Sequence, residues 1–218
     1  MNSHFKSTHD RKRDYISIAK TQLGSRLAYV RDVLAHIEYL LEIIKVNPQK
    51  GLEFGCGTGF HSCFISKFVK HLVCLDLNKD TIEIAKQNMK KFGKEEKVSF
   101  VVGDVFHLPF RPKSFDVAFS QGLLEHFDNN YIKEILWQIT KCSKKIIASV
   151  PSINYPQYDL GDERLLSLDK WALLLSEYNA KVRYYKLDFQ SIKNSLFRKK
   201  IPKPWHILIK IDTIGDKG

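Results

Sequence analysis

The chain is short of the residues that build special-purpose scaffolds. It has four cysteines in 218 residues, with no C-x-x-C pair and no histidines at zinc spacing, so neither a disulfide framework nor a zinc-finger site is expected. Cys74 sits in an apolar run and Cys63 in an expected helix, which points to buried free thiols in a reducing compartment. No apolar run reaches membrane-spanning length, and the opening MNSHFKSTHDRKRDY lacks an apolar signal core. A soluble, cytoplasmic protein is the expectation. Acids are outnumbered, 24 against 35 bases, for a net charge of +11. That balance favours anionic partners such as nucleic acid, phosphorylated metabolites or membrane surfaces, although basic enzymes of ordinary metabolism share it. With 44% hydrophobic residues, wholesale disorder is excluded. Glycine is scarce as well, at 11 residues, yet four of them fall within GLEFGCGTG at 51–59.

The rest of the chain supplies a setting for that loop. Val30, Val33, Leu34, Ile37, Leu40, Leu41 and Ile44 repeat at helical spacing, predicting one helix over 29–45 that ends at Asn47-Pro48. Strands and helices then alternate. GLEF (51–54) is a short strand, and 60–69 continues as a helix. HLVCLDL (71–77) reads as a strand buried on both faces. Asn78 is placed to cap a helix that Gly93 stops. VSFVV (98–102), FDVAFS (115–120) and KKIIASV (144–150, stopped by Pro151) are further strands, with a helix through Ile132–Ile139 and another near 167–178. VRYYKLDF (182–189) and WHILIKI (205–211) follow with no helix between them. The pattern predicts an α/β Rossmann-like three-layer sandwich. Its seven-stranded, mostly parallel sheet carries one antiparallel edge strand. Residues 1–46 form an N-terminal helical extension or lid, and 47–218 the main domain. Ligands in such sheets sit at the carboxyl ends of the strands.

Three carboxylates share that rim. Glu53 precedes the glycine loop, Asp76 ends the second strand and Asp104 follows the third. Asp76 lies at the distance from the loop at which an acid accepts hydrogen bonds from ribose hydroxyls. A nicotinamide dinucleotide does not suit the site. Its G-x-G-x-x-G fingerprint needs a glycine three positions after Gly57, where Phe60 stands, and no phosphate-cradling P-loop is present. Glu53 would also be a poor neighbour for a pyrophosphate. A ligand with ribose, adenine and an amino-acid head, but no phosphate, fits these groups better. Each residue keeps a plainer reading: the glycines as a tight turn, Asp76 as a helix cap, Asp104 as a turn residue.

These segments together resemble the class I methyltransferases that use S-adenosylmethionine. LEFGCGTG is similar to the family's acidic-x-Gly-x-Gly-x-Gly loop, LDLNKDTIEIAKQN to its second segment and VVGDVFHLPF to its third. FDVAFSQGLLEHF and KKIIASVPS resemble its fourth and fifth strands, so the likeness covers about residues 48–190. The resemblance implies S-adenosylmethionine as cofactor. Glu53, Gly55, Cys56, Gly57 and Gly59 would lie around its methionine moiety, Asp76 and Leu77 at the ribose, Asp104 and Val105 at the adenine, and Gln121 nearby. The loop Gln121–His126 would face the methyl group, making Glu125 and His126 the base or acceptor-orienting candidates. A capped or solvated loop end is their competing reading. His61, His107 and Tyr155 are secondary candidates.

Several acceptor classes are disfavoured. Ser120-Gln121-Gly122-Leu123 replaces the Asn/Asp-Pro-Pro-Tyr of enzymes acting on planar amino groups, and no cysteine stands at the fourth or fifth strand end for a covalent cytosine mechanism. No aspartate pair at those ends suggests a magnesium site, and no metal is expected. The segment 190–204 carries Lys193, Arg198, Lys199, Lys200 and Lys203 without an acid. It reads as a solvated loop or as a surface for RNA or anionic lipid. Three functions follow: methylation of a small or lipid-like molecule, methylation of RNA or protein, and non-catalytic cofactor binding.

Overall fold

The computed structural model describes residues 15–17, 19–156, 163–186 and 203–213. Helical residues at 15–17 and 19–22 precede α1 (Arg26–Ala35), capped by the Ser25 side chain, and α2 (Ile37–Lys45). The core then alternates: β1 (Lys50–Phe54), α3 (Phe60–Ile65), β2 (His71–Asp76), α4 (Lys79–Phe92), β3 (Val98–Val102), β4 (Val117–Gln121), α5 (Asn129–Cys142) and β5 (Lys145–Pro151). α6 (Leu168–Leu174), β6 (Lys181–Tyr184) and β7 (His206–Asp212) complete it.

The seven strands stand in the order β3-β2-β1-β4-β5-β7-β6. The first five pair in parallel; β7 runs antiparallel to both β5 and β6. The antiparallel strand at this side of the sheet is therefore β7, one place in from the edge, with β6 outermost. Alternation along each strand divides the core into two layers. Val73 and Leu75 face a cluster with Ile132, Ile135 and Leu136 of α5 and Trp171 of α6. Leu72 and Cys74 face Val33 of α1, Tyr39, Leu40 and Ile43 of α2, Ile65 of α3 and Ile82 of α4. A sheet covered on both faces explains why β2 reads as an unbroken apolar run. All four cysteines are free and buried.

The helix expected over 29–45 is two helices. His36, at φ −113° and ψ 18°, separates them, and its N–H reaches back to the Asp32 and Leu34 carbonyls. The break turns the two halves relative to each other, so Val30, Leu34 and Leu41 of the supposed single apolar face are exposed. α3 stops at Ile65 rather than 69, where the Ser66 hydroxyl turns back onto the Cys63 carbonyl at 2.9 Å. Pro151 does not stop β5 but is its last residue, paired with His206. The expected helix at 167–178 is α6 followed by a 3-10 turn, Ser176–Tyr178. The expected strand 182–189 begins as β6; residues 187–189 lie outside the described residues, as does all of the basic segment 193–203 except Lys203.

Candidate active site at the carboxyl rim

The glycine loop hangs from the end of β1 and is fixed by backbone bonds to β2. Gly55 and Cys56 N–H both donate to the Leu75 carbonyl, at 2.8 and 3.0 Å, and Gly59 N–H donates to the Cys56 carbonyl at 2.9 Å. Gly57 N–H donates to Asp76 Oδ2 at 3.0 Å, while Asp76 Oδ1 accepts from Asn78 N–H at 2.9 Å. Asn78 is indeed the cap of α4, accepting from Asp80 N–H. Burial raises the Asp76 carboxyl above its ordinary range, against the opposing pull of the Asn78 and Gly57 N–H groups.

Two glycines here are required by geometry. Gly57 has φ +53°, and a Cβ on it would stand 2.1 Å from the Tyr15 hydroxyl oxygen. That hydroxyl accepts a hydrogen bond from Thr58 N–H at 3.1 Å, so Tyr15 touches the loop directly. Gly59 has φ +73°, and its missing Cβ lies 3.0 Å from Ala85 Cβ of α4.

A cavity of about 720 Å³ opens beside the loop. Glu53, Gly55, Cys56, Gly57, Asp76, Leu77, Asp104, Val105, Gln121, Glu125 and His126 all line it, as do His61 and Tyr155. Gly59 and His107 do not. Gly59 is the left-handed cap of α3 and lets that helix pack against α4. Asp104 is a turn residue, its Oδ1 accepting from Phe106 N–H at 3.0 Å, and it also lies on the cavity wall.

Glu53 is 2% exposed, and its carboxylate accepts the Ser62 hydroxyl. Burial pushes its pKa up to about 7, partly opposed by His61 and Ser62. The post-β4 loop turns at Gly122 (φ +68°) into a 3-10 turn, Leu124–His126, that buries Glu125. Its position is set by Gly122 N–H donating to Ser149 O at 3.1 Å and Arg164 N–H donating to Glu125 O at 3.0 Å. Asp128 then caps α5.

Residues of the N-terminal helices complete the cavity in a way the sequence reading missed. Tyr15, Arg31, Asp32 and His36 line it, together with His206 at the start of β7. Asp32 and His36 stand four residues apart, a spacing that puts two side chains on one helical face and was the available signal. Among the described residues, Asp32, His36 and His61 are the group whose donor atoms converge within 4.8 Å. Burial favours the neutral form of His61, but Asp32 and then Glu53 outweigh it and raise its pKa; Asp32 is lowered despite its burial, by His61 and then His36.

Residues 52–145 match the family model of a methyltransferase domain. The chain is 27% identical over 191 residues to the 24-methylenesterol C-methyltransferase 3 of Arabidopsis thaliana, covering 83% of this chain and 53% of that one. It is 37% identical over 81 residues to the demethylmenaquinone methyltransferase of Leptospira interrogans, covering 36% and 32%. Its fold is similar to that of a S-adenosylmethionine-dependent methyltransferase from Aquifex aeolicus, with a TM-score of 0.66 at 14% identity over 91% of this chain and 98% of that one. The fold is the Rossmann-like one of class I methyltransferases, and residues 52–145 are similar to a methyltransferase domain, a type of domain for which S-adenosylmethionine is the cofactor. The chain spans about half the length of the sterol enzyme and a third of the quinone enzyme.

Proposed function

We propose that this protein transfers the methyl group of S-adenosylmethionine to a small, carbon-rich acceptor. The observation that carries this reading is one cavity of about 720 Å³ shared by the three strand-end carboxylates and the loop after β4. That volume suits a small-molecule site, roughly 300–1,000 Å³. The names of two relatives specify a methylenesterol and a demethylmenaquinone, which supports an acceptor of that type. Phe60, Phe106, Leu123 and Phe127 give the cavity apolar walls to match. The four buried, unpaired thiols support a reducing, cytoplasmic setting.

In this reading Asp76 accepts from the ribose hydroxyls, with Leu77 beside them. Asp104 takes the adenine amine and Val105 packs on the ring. Glu53, Gly55, Cys56 and Gly57 surround the methionine portion, and Gln121 lies at the methyl end. The sulfonium already activates its methyl group, so the protein's task is alignment and exclusion of water. An electron pair of the acceptor, a lone pair on oxygen or nitrogen or the π pair of a carbon acceptor, would form the new bond as the methyl–sulfur pair returns to sulfur, leaving S-adenosylhomocysteine. A hydroxyl or ammonium acceptor must also lose a proton, and Glu125 or His126 is placed to receive it. The extension at 15–46 closes the cavity as a lid.

Calorimetry with S-adenosylmethionine tests the cofactor half. Wild type is expected to bind, with Asp76→Ala and Gly57→Val losing most of the affinity; equal binding by all three overturns the assignment. Incubation with methyl-labelled cofactor and cell extract tests the acceptor half. Label is expected in the organic-soluble small-molecule fraction; label confined to RNA or protein overturns it.

A further inference from the structure

α1 and α3 bring a second set of donors to the same cavity. Asp32 lies in the last turn of α1, His36 is the residue at its break, and His61 is the second residue of α3. Asp32 Oδ2 stands 3.0 Å from His61 Nε2, and Asp32 Oδ1 stands 4.0 Å from His36 Nε2. Both imidazoles are buried, and the carboxylate is about one-third exposed toward the cavity.

We propose that Asp32, His36 and His61 bind a divalent transition-metal cation of the zinc type. Two imidazoles and one carboxylate form a donor set that prefers such ions to magnesium or calcium, which take oxygen ligands. Bonds of about 2.0–2.1 Å in a tetrahedron put ligand atoms roughly 3.4 Å apart. The observed 3.0 and 4.0 Å, measured to the two oxygens of one carboxylate, lie on either side of that figure, and the three donors fall within 4.8 Å of one another, so side-chain rotation would draw them onto the ion.

Three further features favour a cation over an ordinary ion pair. The buried His61 Nε2 approaches Asp32 without the alignment of a hydrogen bond, and a metal ion would satisfy both atoms. His61 Nδ1 faces Glu53 Oε1 at 3.9 Å, and Glu53 is itself held by Ser62. A carboxylate behind a ligating imidazole is the usual outer support of a metal site. Finally, the His206 ring centroid is 4.7 Å from that of His36, so a third buried imidazole lies beside the two. The site borders the space assigned to the acceptor, but cation binding does not depend on methyl transfer.

The test uses the full chain, stripped with a chelator and titrated with Zn²⁺ by calorimetry and with Co²⁺ by visible absorption. Wild type is expected to bind one equivalent of each, with ligand-field bands for Co²⁺ that Zn²⁺ abolishes. His61→Gln, His36→Gln and Asp32→Asn, each checked for folding by circular dichroism, are expected to lose about tenfold or more in affinity. Failure of wild type to bind either ion overturns the proposal, and so does undiminished binding by the folded variants. Calorimetry with S-adenosylmethionine on the same stripped sample separates the two readings. Cofactor binding without cation binding sinks only this one, and the reverse sinks only the cofactor assignment.

Discussion

At the scale of single residues, the rim shows how one short motif divides its labour. Gly57 faces Tyr15 and the cavity, while Gly59, two positions on, faces Ala85 where two helices meet. Gly59→Ala is therefore expected to cost stability, about 1–2 kcal/mol for a side chain at positive φ plus the clash at 3.0 Å, with cofactor affinity little changed once folded. Urea denaturation and calorimetry check the two halves. Glu53 has a second consequence. Its folded pKa of about 7 exceeds the ordinary 4.5, so between those values the folded chain keeps a proton that the unfolded chain releases. Stability from this group is fully present below about pH 4.5, falls as pH rises and is lost above about 7, a total of about 3 kcal/mol. Urea midpoints of the cofactor-free protein at pH 5 and 8 are expected to show the fall, and Glu53→Gln to flatten it. The role of Glu53 at the rim was legible because the strand register puts any residue just before the loop there. Its protonation was not, since it depends on burial beside Ser62 and His61 of another element.

Among elements, α2 is held by charge as well as by packing. Glu38 accepts from Arg183 and from Lys186 N–H (2.6 Å), and Glu42 accepts from Lys210 Nζ at 2.6 Å and Lys45 Nζ at 2.7 Å. These contacts join the helix to β6 and β7, and the Lys210 and Lys45 bonds overcome burial to lower Glu42 to about 2. Glu38→Ala is expected to destabilise by about 2 kcal/mol, because it removes charge-assisted bonds and leaves the Lys186 N–H without its acceptor. Arg183→Ala in the same background should then add little, which a double-mutant cycle in urea would read. Element identity was legible from periodicity throughout the core, where β1, β2, β4, β5 and β7 bury both faces and each helix one. The division of 29–45 was not. Its apolar residues fit one helical stripe equally well, and only tertiary packing around His36 decides that Val33 and Leu40 turn inward while Leu34 and Leu41 stay exposed. The Asp32–His36–His61 cluster was hidden for the same reason, since α1 and α3 meet only in the folded chain.

For the whole molecule, cofactor and fold are linked, because the cavity is closed by elements from both ends of the described chain, Tyr15 and His206 among them. A ligand that binds only the folded form stabilises it by about 2.7 kcal/mol at a hundred times its dissociation constant. In a domain of this size that corresponds to a rise of about 5–10 °C in Tm. S-adenosylhomocysteine at that concentration is expected to give such a shift by scanning calorimetry, and Asp76→Ala to abolish it.

The strand order also sets a timetable. β6 comes before β7 in the chain, yet among the described residues its strand partner is β7, which must first settle along all of β5 from Lys145↔Asp212 to Pro151↔His206. The sheet thus cannot grow in the order in which its strands are synthesised. Until residues some sixty positions downstream arrive, the outer edge of β5 is a bare, apolar strand, and closing so distant a pairing is slow. That interval is when the nascent chain is most open to pairing with the wrong neighbour.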